Sequence, residues 1–383
     1  MLSKQEALIN EGVSYFKRGD HSLGYRTLLD AALNTDATEV FKETLQFVAT
    51  YESTEEKATL LSRIEKYATF LKQTPVETSA LLGEEILNGQ NLSKTYRNSK
   101  FALGPINIQL KKGGIYGLVG ENGNGKTTLL TILASLIKTT SGKLTYNFLT
   151  ESKDAFDLKS KLVYIPQRTD VWYGSVIDNL KFALAHHGVK GEKNELLVLM
   201  MIARFGLWKY RKLKWKELSS GYKMRFELAR TLLRRPEIIL LDEPLANLDI
   251  LAQQVILEDL KMLAKSHANP IAMVFSSQQL YEVEKISDEV IYLRDGKPSE
   301  ALEKAEEEGS LIVELDTENS RESIEKLFTE INLQKVEFNG GVYILYFKES
   351  TTFNDLLLKI AEANFSIKYI RDISASTRRY FVY

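Results

Sequence analysis

Gly120-Glu121-Asn122-Gly123-Asn124-Gly125-Lys126-Thr127-Thr128 is the stretch on which the fold turns. It has the form G-x-x-x-x-G-K-[ST], and its context fits: the apolar run Ile115 to Val119 precedes it and a helical pattern from Thr127 to Ile137 follows. Glycines in such a loop let backbone N–H groups turn inward around a β-phosphate. The helix N-terminus that follows adds partial positive charge. Lys126 is expected to reach the β- and γ-phosphates, and the Thr127 hydroxyl to ligate Mg²⁺.

Downstream, Ile238-Ile239-Leu240-Leu241-Asp242 reads as a buried strand ending in a carboxylate. Asp242 is expected to hold Mg²⁺ through water. Glu243, next in the chain, is placed to orient and polarise a water attacking the γ-phosphate. Between and around these motifs, from about 80 to 305, strand-length apolar runs alternate with helical patterns. Ile115 to Val119, Leu162 to Ile165, Ile238 to Leu241, Met273 to Phe275 and Val290 to Leu293 are such runs. That alternation predicts an α/β core with a largely parallel sheet covered by helices.

The flanks read differently. Residues 1 to 78 are expected to be an all-helical domain, with Gly19-Asp20 breaking one helix from the next and a second periodic stretch over Phe41 to Phe70. Gln5 to Asp36 resembles one tetratricopeptide repeat, with Gly12, Tyr15, Gly19-Asp20 and Ala31 at that repeat's offsets. Two readings stay open there: a peptide-binding repeat, or a helical hairpin docked on the main domain. Residues 309 to 383 give strand Ser310–Leu315, helix Arg321–Ile331, a hairpin over Lys335–Phe347, helix Phe353–Asn364 and strand Phe365–Ile370. The order β-α-β-β-α-β suggests a ferredoxin-like α+β domain. The charged segment Ser299 to Gly309 reads as a solvated linker.

Composition narrows the function. The 383 residues carry 50 Lys+Arg against 51 Asp+Glu, a net charge of −1, which argues against nucleic-acid binding through bulk charge. There is no Cys, hence no disulfide and no thiolate site. The first twenty residues lack a signal-peptide core, and no apolar run approaches the roughly 20 residues that span a bilayer as a helix.

Residues 80 to 298 resemble the ABC ATPase family. The deciding feature is Leu218-Ser219-Ser220-Gly221-Tyr222 ahead of the Asp242-Glu243 strand, similar to that family's LSGGQ signature with Ser220 and Tyr222 substituted. The resemblance implies a P-loop core binding ATP and Mg²⁺, with ATP sandwiched head to tail between two subunits. Ser219, Ser220 and Gly221 would then meet the γ-phosphate held by the opposite subunit. Gln167, in Tyr164-Ile165-Pro166-Gln167, resembles the Q-loop glutamine, which senses Mg²⁺ and water and leads into a helical subdomain at about 168–220. Tyr96 resembles the aromatic that stacks on adenine, although a Tyr also suits a strand there. Leu245 to Asp249 resembles the D-loop at the dimer interface. Gln278 stands where the family usually has a His; it either slows hydrolysis while keeping ATP sensing, or serves adequately.

On this resemblance the partners are a second ATPase subunit, expected to be another copy of this chain, and a separate transmembrane permease. No nucleic acid is implied, and residues 1–78 are free to take a protein or peptide. The place is the cytoplasmic face of the membrane, held peripherally through the permease. An exporter is the preferred subtype, because the C-terminal segment and the Tyr222 variant resemble exporter-type members. An ATP-gated scaffold or a non-transport ABC ATPase with slow hydrolysis is the alternative.

Overall fold

The computed structural model of the chain describes residues 3–76, 82–97, 101–149, 155–298, 311–339, 341–348 and 350–374. The charged stretch read above as a linker lies outside the described residues.

Four helices open the chain: α1 (Lys4–Lys17), α2 (His21–Leu33), α3 (Thr38–Ser53) and α4 (Leu61–Lys72). Ser3 and Glu6 close a reciprocal capping box at the start of α1, and the Asp20 carboxylate caps α2 by accepting from the Leu23 N–H. α1 and α2 approach closely. A β-carbon on Gly24 would fall 2.7 Å from the Phe16 ring and 2.8 Å from the Gly12 carbonyl oxygen, so the contact requires glycine. The periodic stretch Phe41 to Phe70 spans two helices, α3 and α4. Thr54 leaves the helical conformation, and the Lys57 ammonium donates to the carbonyls of Tyr51 and Thr54, satisfying acceptors that a continued helix would have used.

The central region contains, in chain order, β1 (Glu85–Thr95), β2 (Ala102–Lys111), β3 (Ile115–Val119), α5 (Lys126–Leu133), β4 (Ser141–Tyr146), α6 (Ala155–Lys161), β5 (Leu162–Ile165), α7 (Val176–His186), α8 (Gly191–Arg204), α9 (Ser220–Leu232), β6 (Ile238–Leu241), α10 (Ile250–Ala264), β7 (Ala272–Ser277), α11 (Leu280–Glu284), β8 (Glu289–Arg294) and β9 (Lys297–Pro298). Its main sheet has the order β5-β6-β7-β3-β8-β9, parallel except for β9. β3 and β6 are buried at every residue, as strands covered on both faces must be. A separate antiparallel sheet, β2-β1-β4, was not read from the sequence. β2 alternates buried and exposed positions from Ile106 onward, which is the pattern of a strand with one face on the core. α5 stops at Leu133, four residues short of expectation, because Ser135 turns to φ +56° and cannot continue a right-handed helix.

The last elements are β10 (Ile312–Asp316), α12 (Arg321–Phe328), β11 (Leu333–Asn339), β12 (Val342–Phe347), α13 (Phe353–Glu362) and β13 (Tyr369–Asp372). The sheet order is β11-β12-β10-β13, with every neighbouring pair antiparallel. The final strand starts at Tyr369, later than Phe365. The Phe365 ring instead packs 5.9 Å from that of Phe328, the last residue of α12. Arg371 of β13 lies 3.6 Å from Glu284 of α11, tying this unit to the central region.

The helical N-terminus shares one apolar core with α7, α8, α9 and one face of the main sheet. At its centre is a buried ion network. Arg204 at the end of α8 is fully buried and binds Asp30 of α2 at 2.5 Å and Asp259 of α10 at 2.6 Å. Arg26 of α2 binds the same Asp259 at 2.9 Å and Glu258 at 2.6 Å. α2 therefore joins α8 to α10 through charges withdrawn from water.

Candidate active site

The site is built at the C-terminal ends of β3, β6 and β7. β3 ends at Val119, and the chain loops through 120–125 into α5. Gly125 has φ +98°, and a β-carbon there would fall 2.6 Å from Leu103 and 2.9 Å from the Phe101 ring, so only glycine enters α5 at this angle. No side chain caps α5, which leaves the N–H groups of its first turn for an anion. Glu121, Asn122 and Gly123 form the exposed rim of the loop, and Thr128 is half-buried in the first turn. Asn124 accepts from the Asp295 N–H at 3.1 Å, fastening the loop to the turn after β8.

Lys126 is buried. Its ammonium donates to the carbonyl oxygens of Gly120 at 2.7 Å and Glu121 at 3.3 Å, and lies 3.4 Å from the Glu243 carboxylate. Thr127 Oγ1 donates to Asp242 Oδ2 at 2.7 Å. Two residues the sequence reading passed over complete the surroundings of Asp242: the Tyr164 hydroxyl donates to Oδ2 at 3.2 Å, and Ser276 Oγ donates to Oδ1 at 2.8 Å. Burial, followed by the charge of Asp242, pushes the Tyr164 phenol well above its usual value of 10, so it stays a donor.

Glu243 sits at φ +48°, in the left-handed region. Its carboxylate accepts from Gln167 Nε2 at 2.7 Å and from Gln278 Nε2 at 3.0 and 3.1 Å. Two neutral amides and one ammonium therefore surround it. The Gln278 amide, at the position where the family usually has a His, is directed at Glu243. Gln167, read both as catalytic and as a metal ligand, also has its amide nitrogen on Glu243. Nearby, Ser277 Oγ donates to Glu282 at 2.5 Å, and burial raises the Glu282 carboxyl above its ordinary range.

The remaining predicted residues form a second cluster. Ser219 caps α9 by accepting from the Tyr222 N–H at 3.5 Å, and Ser220 Oγ donates to the Asn247 carbonyl at 2.9 Å. Gly221 approaches Ala252 closely, a β-carbon there falling 3.3 Å away. Asp249 caps α10 by accepting from the Ala252 N–H at 2.8 Å. Beside this cluster Ile250 and Leu251 are each 74% exposed. Tyr96 lies just after β1, partly exposed, with the Lys94 ammonium 5.5 Å from its ring. Phe101, which the sequence reading did not single out, is the aromatic ring set against Gly125.

Among the described residues, no group of three or more acidic or His side chains could hold a metal ion. The pairing of one hydroxyl and one carboxylate, Thr127 with Asp242, fits Mg²⁺, which is commonly held by one or two carboxylates together with substrate phosphates. A cavity of about 600 Å³ lies elsewhere, between α1, α2 and α10, and none of the residues of either cluster lines it.

The family model described as ABC transporter matches residues 103–246. An uncharacterized ABC transporter ATP-binding protein of Bacillus subtilis (strain 168), YcbN, is 30% identical over 255 residues, covering 65% of this chain and 80% of that protein. The phosphate import ATP-binding protein PstB of Saccharolobus solfataricus is 32% identical over 223 residues, covering 54% of this chain and 85% of that protein. Among solved structures, CbiO1 from Clostridium perfringens, described as part of the ABC transporter complex CbiONQ, superimposes with a TM-score of 0.52. It is 22% identical and covers 58% of this chain and 92% of its own, a likeness of fold.

Proposed function

Because the chain belongs to the ABC transporter ATP-binding proteins, and is an ATP-hydrolysing nucleotide-binding subunit of that family, we propose that its turnover is centred on Glu243 and drives a separate membrane permease. The observation that carries this reading is the convergence of Lys126, Gln167 and Gln278 on one carboxylate, beside the Thr127–Asp242 pair. The backbone N–H groups at the start of α5 and the Lys126 ammonium bind the phosphates. Thr127 and Asp242 would hold Mg²⁺, which would supply charge neutralisation for the phosphates. Glu243 is the acceptor that orients water toward the γ-phosphate, and the amides of Gln167 and Gln278 fix its carboxylate.

The second cluster serves a second subunit. Ser219, Ser220 and Gly221 offer a hydroxyl and N–H groups at a helix N-terminus, and exposed Ile250 and Leu251 give the adjoining apolar contact for an ATP-closed homodimer. The permease docks where the chain leaves Gln167. Val171, Tyr173 and Phe182 are 59, 89 and 68% exposed there, an apolar patch on a chain whose described helices include none long and apolar enough to cross a membrane. Trp172 within this patch donates to buried Glu227 of α9 at 3.0 Å, so a push on the patch reaches the helix that carries Ser219. The ferredoxin-like C-terminal unit and export as the direction of transport complete the proposal. Both rest on the chain's β-α-β-β-α-β order and Tyr222. The N-terminal helices remain a candidate platform for a protein or peptide.

The test is Glu243→Gln with saturating ATP and Mg²⁺. The amide keeps the shape and loses the charge, so ATP stays bound, phosphate release stops and a dimer appears by size-exclusion chromatography. Normal phosphate release from this variant would sink the assignment. Tyr173→Ala and Val171→Asp should leave ATP turnover in solution intact while abolishing co-purification with membranes; retained membrane binding in both would rule out the patch.

A further inference from the structure

Ser276 is fully buried at the end of β7, after the apolar residues Ala272 to Phe275. A hydroxyl at such a place is costly to desolvate unless both its donor and its acceptor capacities are satisfied. Here they are, and each connects to one of the two acidic residues of the site. The Glu243 N–H donates to Ser276 Oγ at 2.8 Å, and Ser276 Oγ donates to Asp242 Oδ1 at 2.8 Å. The register places it there: β6 and β7 run parallel with Leu241 opposite Phe275, so Asp242 and Ser276 are the next residues along each strand.

The direction of this relay is fixed. The hydroxyl oxygen accepts from the Glu243 backbone N–H and turns its own proton to Asp242 Oδ1, so both of its capacities are used. Oδ1 is then held by Ser276, and Oδ2 is left to Thr127 and Tyr164. The same hydroxyl receives the Glu243 N–H just where the backbone takes φ +48°, a conformation a non-glycine residue keeps only when its surroundings enforce it. We propose that Ser276 is a positioning residue for ATP hydrolysis, one hydroxyl that sets both the carboxylate turned toward the Thr127 metal position and the turn that presents Glu243. This rests on the reading of Asp242 and Glu243 given above.

The experiment compares Ser276→Ala, Ser276→Val and Ser276→Thr in the full chain; Thr and Val share a shape and differ in the hydroxyl. Three readouts are taken: affinity for a fluorescent ATP analogue in EDTA, Mn²⁺ affinity of the ATP-loaded protein by electron paramagnetic resonance, and kcat for phosphate release. Metal-free nucleotide affinity should be unchanged in all three, since no phosphate contact runs through Ser276. In Ala and Val, Mn²⁺ affinity and kcat should each fall about 10- to 100-fold, the usual loss when a residue orienting a metal ligand is removed. Thr should recover most of both. Wild-type Mn²⁺ affinity and kcat in Ala and Val would overturn the proposal, as would a Thr variant as impaired as Val, which would make the effect one of volume. Asp242→Asn is the control for the underlying reading: if it binds Mn²⁺ as wild type does, the metal assignment fails, whatever the Ser276 variants show.

Discussion

Arg204→Met tests how firmly the N-terminal helices are built into the ATPase. The guanidinium is fully buried, and its removal affects two carboxylates unequally. Asp259, whose side chain is 1% exposed, keeps Arg26 at 2.9 Å. Asp30, whose side chain is 17% exposed, loses the guanidinium held at 2.5 Å. Stranding a buried charge costs about 3–5 kcal/mol. With Asp259 still paired and Asp30 not completely enclosed, the lower end applies, about 3 kcal/mol. Burial already raises the Asp30 carboxyl above its ordinary value of 3.8 against the pull of Arg204. A carboxyl raised in the folded state favours its protonated form, so its contribution is fully present below the unfolded pKa and is lost as pH climbs through the folded one. Arg204→Met should therefore cost more at about pH 7 than at about pH 4. The assay is urea unfolding followed by the fluorescence of Trp172, Trp208 and Trp215, all within the region around α8 and α9. Adding Asp30→Asn to Arg204→Met should recover part of the loss by removing the stranded charge. A loss under about 1 kcal/mol at neutral pH, or no recovery in the double variant, would refute the view that this network clamps α2 to the ATPase.

Lys126→Ala should abolish ATP hydrolysis, measured as phosphate release, because both the phosphate contact and the cation beside Glu243 disappear. Gln278→Ala removes an amide donor from the Glu243 carboxylate and should lower turnover about tenfold or more, the worth of one hydrogen bond to a charged group, while Gln278→His should raise it above wild type; equal rates in all three proteins would make Gln278 a bystander. Burial holds the His267 imidazole below its ordinary value of 6.5, so it stabilises the fold above that pH and withdraws the stabilisation as the pH falls and the ring must charge. The melting temperature of wild type should thus drop more between about pH 7 and pH 5 than that of His267→Gln, and parallel curves would exclude a role for this residue.

Local order carried much of this protein. The loop Gly120 to Thr128, the strands Ile115–Val119, Leu162–Ile165 and Ile238–Leu241, and the break at Gly19-Asp20 all depend on residues adjacent or within a helical turn of one another, which periodicity and turn chemistry can see. The adjacency of Asp242 to Glu243 and the order of the motifs were legible for the same reason. What tertiary structure alone decided is pairing across sequence distance. Ser276 meets Asp242 across 34 positions, and Gln167 meets Glu243 across 76. Arg204 meets Asp30 across 174. The antiparallel sheet β2-β1-β4 likewise stayed hidden, since its strands carry no mark of which partner they take. A serine in a strand or an arginine ending a helix reads as unremarkable until the parallel register of β6 and β7, or the docking of α2, brings the complementary charge within hydrogen-bonding distance and excludes the water that would otherwise compete for it.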